Sequence, residues 1–129
     1  YISLNVEVVR EIPKLCVTTG KNFVASRMKD TTKAAMTHMA VGTDNTTAAA
    51  GQSALVSETA RGALTSTTVT ANAIAYVETF AAGTGTGALV EAGLFNASSG
   101  GDMLCRTVFA VVNKGSADSM TITWTITVS

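Results

Sequence analysis

The sequence is poor in charge and in aromatic side chains, and both shortages exclude classes of protein. Charged residues make up 14% of the 129 positions, with nine Lys and Arg against nine Asp and Glu. A net charge of zero excludes the basic field that drives sequence-independent binding to nucleic acid. No apolar run approaches the roughly 18 residues of a membrane span. We therefore expect no nucleic-acid partner and no membrane partner.

Residues that could do chemistry are also scarce. Cys16 and Cys105 lie far apart with no CxxC motif, so we expect two free thiols that pack as small hydrophobic residues. His38 is the only histidine and lies in the apolar run MTHMAV without a neighbouring acid. One histidine and two distant cysteines cannot supply the usual zinc ligands or a nucleophile–histidine relay. We expect no catalytic residue, no metal and no cofactor.

Two further patterns are similar to a phosphate-binding loop and to a catalytic carboxylate pair, but neither is complete. The run GTGTG at 83–87 lacks the Lys-Ser/Thr ending of a phosphate-binding loop. Glu78 and Glu91 flank this run and are candidates for a carboxylate pair. A glycosidase pair, however, requires a sugar-binding cleft, which is usually rich in aromatic residues, and aromatic residues make up only 5% of the chain. We therefore predict that the protein is not an enzyme.

Threonine and alanine are abundant instead, with 21 and 20 residues. Threonine is β-branched and favours strands. The last strand is the clearest, because Met120, Ile122, Trp124, Ile126 and Val128 alternate with threonines. Other predicted strands are 2–9, 36–41, 64–69, 73–80, 89–95 and 103–112, and a helix is predicted over 20–35 with Thr18 or Thr19 as its cap.

These elements predict a mainly β fold, an antiparallel β-sandwich with one short helix near the N-terminus. Residues 1–19 form an N-terminal strand or arm, and residues 20–129 form a single sandwich domain. The Ala-rich stretch 48–61 is expected to hold a turn of helix. The arm can be an ordinary internal strand, or it can add a strand to the sheet of a neighbouring molecule.

Three groups of residues are candidates for binding a partner. The first 43 residues carry a net charge of +3 and the rest carry −3. This polarity can orient copies head to tail, although a basic helix face in water is the simpler explanation. The final strand is uncharged and a candidate for pairing with another chain. A threonine ladder is also typical of ice-binding faces, but those repeat it on neighbouring strands. The candidate residues are Ile2, Leu4, Val6 and Val8 in the arm, Arg27, Lys29 and Lys33 in the basic segment, and Thr121, Thr123, Thr125 and Thr127 in the last strand.

Several motifs resemble small structural proteins of tailed bacteriophages. They are GKNFVASRMKDTTKAAMTHMAVGT at 20–43, ETAR at 58–61, EAGLFN at 91–96, MLCRTVF at 103–109 and the ending TITWTITVS. An EAGLFN strand, a Gly-rich turn, an MLxRTVF strand and a closing WTI strand are similar to phage tail-collar and tail-fibre modules. The resemblance covers about residues 20–129 and implies a β-rich virion protein that assembles in many copies.

The resemblance does not fix the position in the virion. We expect a capsid decoration (cement) protein, which binds the head shell and stabilises it against the pressure of packaged DNA. The expected partners are the major capsid protein or another virion protein, and further copies of the chain in a trimer or dimer. The expected location is the virion, assembled in the cytoplasm of the bacterial host. The alternative is a tail-fibre, collar or baseplate module, with host-surface binding as one role. The stand-alone length favours decoration.

Overall fold

The computed structural model describes residues 2–4, 15–29 and 33–127, which form nine strands and one helix. The helix α1 covers Thr18–Lys29. The strands are β1 Ile2–Leu4, β2 Leu15–Cys16, β3 His38–Gly42, β4 Glu58–Ala63, β5 Ser66–Thr70, β6 Ala73–Phe80, β7 Gly87–Phe95, β8 Met103–Lys114 and β9 Met120–Thr127.

The strands form two sheets in which every neighbouring pair is antiparallel. Sheet A has the order β1-β9-β6-β5, and sheet B has the order β2-β8-β7-β3-β4. The predicted fold class, mainly β with antiparallel sheets and one short helix near the N-terminus, is confirmed.

An apolar core draws on the inward faces of both sheets. In β9, Met120, Ile122 and Trp124 are buried while the threonines between them are half-buried or exposed, which confirms the predicted alternation over the described residues. Val128 lies outside them. Its members include Tyr76, Phe80, Met120, Ile122 and Trp124 of sheet A and Met39, Val41, Leu89, Leu94 and Phe109 of sheet B.

Sheet B is buried on its other face as well. A second, smaller apolar cluster contains Ala40 of β3 and Phe95 of β7, with Val17, Met103 and Leu55. Leu55 belongs to the connection between β3 and β4, residues 43–57, which we call the β3–β4 loop. A near-continuous run of buried residues in β3 follows from this double cover, because alternate side chains enter different cores.

Helix α1 packs closely on β8. Thr19, predicted as a cap, donates its hydroxyl to the carbonyl of Met103 at 3.0 Å. A Cβ on Gly20 would overlap the backbone of Leu104, so only glycine allows this approach. The helix is shorter than predicted, since residues 33–35 are not helical and residues 30–32 lie outside the described part.

The stretch 48–61 is where the sequence prediction of a helical turn is wrong. Its last residues enter β4, which pairs with β3 from His38↔Ala63 to Gly42↔Glu58, and the preceding residues form an irregular loop. Alanine has the highest helix propensity, but pairing with an available sheet edge overrides that local preference.

Candidate functional site

Glu91 and Arg106 form a fully buried ion pair on the outer face of sheet B. Arg106 lies opposite Gly93, two residues along β8 from Val108, the residue opposite Glu91. Arg106 donates from Nη2 and Nε to Glu91 Oε2 at 2.6 and 3.0 Å. Both side chains are 0% exposed, so each charge depends on the other for compensation.

The remaining atoms of this pair hold the β3–β4 loop. Glu91 accepts hydrogen bonds from the backbone N–H groups of Ser57 at 2.8 Å and Val56 at 3.2 Å. Arg106 Nη1 donates to the carbonyl of Thr46 at 2.8 Å and to Gln52 Oε1 at 3.2 Å. The ion pair therefore fixes the loop at both its start and its end.

A second cation on the same face holds another loop. Arg61 of β4 lies 3.7 Å above the centre of the Phe95 ring and pairs with Glu58 at 2.7 Å. Its Nη1 donates to the carbonyls of Ala97 and Gly100, at 3.1 and 2.9 Å. The β7–β8 connection is thereby fastened to the outer edge of sheet B.

Lys114, at the end of β8, also binds backbone carbonyls of the connections between strands. Its side chain is 1% exposed, and Nζ donates to the carbonyls of Ala81 at 2.9 Å and Asp118 at 2.7 Å. Three basic side chains, Arg61, Arg106 and Lys114, therefore each hold loop carbonyls in place.

The hydrogen bonds of Glu91 and Arg106 keep this part of sheet B and the β3–β4 loop rigid. The charged atoms of Glu91 and Arg106 are occupied by protein partners, which leaves no polar group aimed at a vacant position. Across residues 2–4, 15–29 and 33–127, no three His, Cys, Asp or Glu side chains converge as metal ligands. His38 lies on β3, where Nδ1 is 2.8 Å from the hydroxyl of Thr37.

Glu78 does not pair with Glu91, which is bound by Arg106. It lies buried on β6, its carboxylate accepting a hydrogen bond from the Thr65 hydroxyl at 3.3 Å, and it occupies the space where a Cβ of Gly62 would be. Burial raises the pKa of the Glu78 carboxyl, and hydrogen bonds from Thr65 and Thr79 offset the rise only in part.

We expect Glu78→Gln to stabilise the protein increasingly as the pH rises. The folded carboxyl has the higher pKa, so the folded state holds the extra proton between the unfolded and the folded pKa. Stability that Glu78 contributes at acid pH is lost as the pH rises through that window. Thermal unfolding of both proteins from about pH 4 to about pH 7 measures the difference. A difference in Tm that stays constant across this range would contradict the prediction.

The basic residues predicted to bind a partner are used partly within the chain. Arg27 of α1 donates to the carbonyl of Lys33 at 3.0 Å, and Lys33 forms an ion pair with Asp102 at 2.6 Å. This pair joins the basic N-terminal part to the acidic remainder inside one molecule. Lys29, at the end of α1, also has an interaction partner. Partner binding by these residues stays a prediction.

The arm and the last strand meet each other. Ile2 pairs with Ile122 and Leu4 with Met120, so β1 joins the sheet of its own chain as an edge strand, while Val6 and Val8 lie outside the described residues. The view of β9 as an open edge is wrong for 120–122, which lie between β1 and β6. Thr121 is 2.9 Å from the hydroxyl of Thr79, Thr123 and Thr125 have partners, and Thr127 is exposed.

Strand β5 is an edge strand of sheet A with no buried side chain. All five of its residues, STTVT, are exposed and uncharged, and Val69 is 67% exposed. Among the described residues, β5 has a neighbouring strand only in β6. The outward face of sheet A continues from β5 with Ala73, Ala75, Val77 and Thr79 of β6 and the four threonines of β9. Alanine and valine on β6 interrupt the threonine ladder between β9 and β5.

No family model, curated protein or solved structure matches this chain. No helix among the described residues has the length and apolar character needed to cross a membrane.

Proposed function

We propose that this protein is a structural subunit of a tailed bacteriophage particle. In this proposal it is a head decoration protein that assembles in many copies. The observation that carries the assembly role is β5, an exposed and uncharged edge strand beside the uncharged outward face of sheet A. Soluble proteins normally blunt such an edge with charge, proline or a covering segment. The phage particle itself enters through the sequence resemblance.

The edge is suited to a second copy of the same strand. The two-residue connection Ala71–Asn72 closes the β5–β6 hairpin, so the position Thr70/Ala73 is hydrogen-bonded. Alternation then turns the backbone N–H and C=O groups of Thr67 and Val69 outward. Antiparallel pairing of two β5 strands would satisfy these groups and continue sheet A across a two-fold axis without bringing like charges together.

Substitution at Thr67 tests this pairing. We expect the wild-type protein to show concentration-dependent association in sedimentation velocity experiments. Thr67→Pro removes one outward donor without removing a bond to β6, so association should be lost while Tm changes little. Thr67→Val keeps the donor and should associate like wild type. A wild-type protein that stays monomeric at all concentrations would refute the edge pairing, as would equal association of Thr67→Pro.

The number of copies per particle tests where in the particle the protein lies. A decoration protein is present in numbers comparable to the capsid subunits, whereas a tail, collar or fibre module occurs in a small multiple set by the symmetry of the tail. Quantitative mass spectrometry of purified particles distinguishes the two. Absence of the chain from particles would refute the virion role, whatever the outcome for β5.

A further inference from the structure

The two cysteines, far apart in sequence, are direct neighbours in sheet B. Cys16 of β2 and Cys105 of β8 are register partners in an antiparallel pair. Neither cysteine is in a disulfide. Cys105 is buried in the core between the sheets, and Cys16 is partly exposed and packs against the same core. The two side chains therefore extend from the same face of the sheet.

The hydrogen-bond pattern fixes the type of position they occupy. The N–H of Val17 donates to the carbonyl of Leu104 at 3.3 Å, which makes Val17/Leu104 a hydrogen-bonded position. Hydrogen-bonded and non-hydrogen-bonded positions alternate along an antiparallel pair, so Cys16/Cys105 is non-hydrogen-bonded. At such a position the Cα atoms are about 4.5 Å apart. A disulfide requires about 4.4–6.8 Å, so the backbone already satisfies it.

We propose that Cys16 and Cys105 are a reversible oxidation site, which closes to an intrachain disulfide when the protein meets a disulfide oxidant such as oxidised glutathione. The thiolate of Cys16, the more exposed of the two, attacks one glutathione sulfur and releases the first glutathione. The sulfur of Cys105 then attacks Cys16 and releases the second. Two electrons and the two thiol protons pass to the glutathione pair, and one protein disulfide is formed.

The disulfide would form in β2, the shortest described strand of sheet B. Strand β2 has two residues, pairs only with β8 in the described structure, and leads directly into α1. Closure would join β2, just before α1, covalently to the first part of β8 and would close a long loop in the unfolded chain. Its effect is on stability and does not depend on the proposed function.

Oxidation of the purified protein tests the proposal. After incubation with oxidised glutathione, we expect the thiols titrated in denaturant to fall from two to none per chain. Peptide mapping should recover the Cys16 and Cys105 peptides joined, and Tm should rise by at least about 5 °C. The matched control is Leu15→Cys combined with Cys16→Ser, which moves the thiol one residue along β2 to the opposite face. This variant keeps two thiols and should form no intrachain disulfide.

Three results would overturn the proposal. They are stable mixed disulfides with glutathione on the wild-type chain, disulfides between chains, and intrachain closure that is equally fast in the control. Because mapping of the wild-type chain decides the first two, the proposal remains falsifiable even if the control variant fails to fold.

Discussion

Arg106→Met should destabilise the protein by about 3–5 kcal/mol, because it leaves a buried carboxylate without its counter-charge. Glu91 would retain only the N–H groups of Ser57 and Val56, and the carbonyl of Thr46 would lose its donor. Denaturant unfolding of wild type and variant at neutral pH measures the loss. A variant within about 1 kcal/mol of wild type would mean that the pair is not a main support of the β3–β4 loop.

A double variant separates the charge from the hydrogen bonds. Apolar replacement of both members of a buried ion pair is often neutral or stabilising. Here Glu91→Leu combined with Arg106→Met should recover only part of the loss, because the N–H groups of Ser57 and Val56 also lose their acceptor. Full recovery would contradict the assignment of loop anchoring to this pair.

Arg106→Lys keeps the charge without the planar fork of the guanidinium group. We expect its free energy of unfolding to fall between those of Arg106→Met and wild type.

Gly20→Ala is the second substitution for which we expect a large effect. Helix propensity alone favours alanine by about 1 kcal/mol. The added Cβ, however, would overlap the Cα, C and O atoms of Leu104, none of which can rotate away. Overpacking of this kind costs about 1–3 kcal/mol or more, so packing outweighs propensity and the net change should be destabilising.

Gly51→Ala is the matched control, since a Cβ at Gly51 meets no atom within 4 Å. We expect the control to unfold close to wild type in the same thermal and denaturant experiments. A Gly20→Ala protein as stable as this control would show that α1 can move away from β8 without cost.

The strand that the sequence predicts most clearly is β9, whose pattern is set by a single buried face. The alternation in β9 is visible without any partner, and turn residues bound β7 and β8. The edge strand β4 was missed because its side chains are exposed or half-buried along its whole length. A strand without a buried face has no hydrophobic period, and its existence depends on the neighbouring β3.

The buried ion pair was within reach of sequence reasoning, although it was not predicted. Glu91 is the one acid in β7, and Arg106 stands among apolar residues early in β8, with a turn-rich loop between the two strands. An acid and a base that both stand among apolar residues on adjacent strands of a hairpin favour pairing. The hydrogen bonds to the β3–β4 loop have no such signal, because they go to backbone groups more than 30 residues away, as at Val56 and Ser57.

The order of the strands also determines which of the two sheets can form first during folding. Strands β3, β4, β7 and β8 of sheet B all lie within 38–114, whereas sheet A needs β9 to fill the place between β1 and β6. Until residues 120–127 arrive, β5 and β6 form a lone hairpin, which is marginally stable in water. We therefore expect sheet A, whose β5 edge we propose as the assembly surface, to be the last part of the molecule to form during folding.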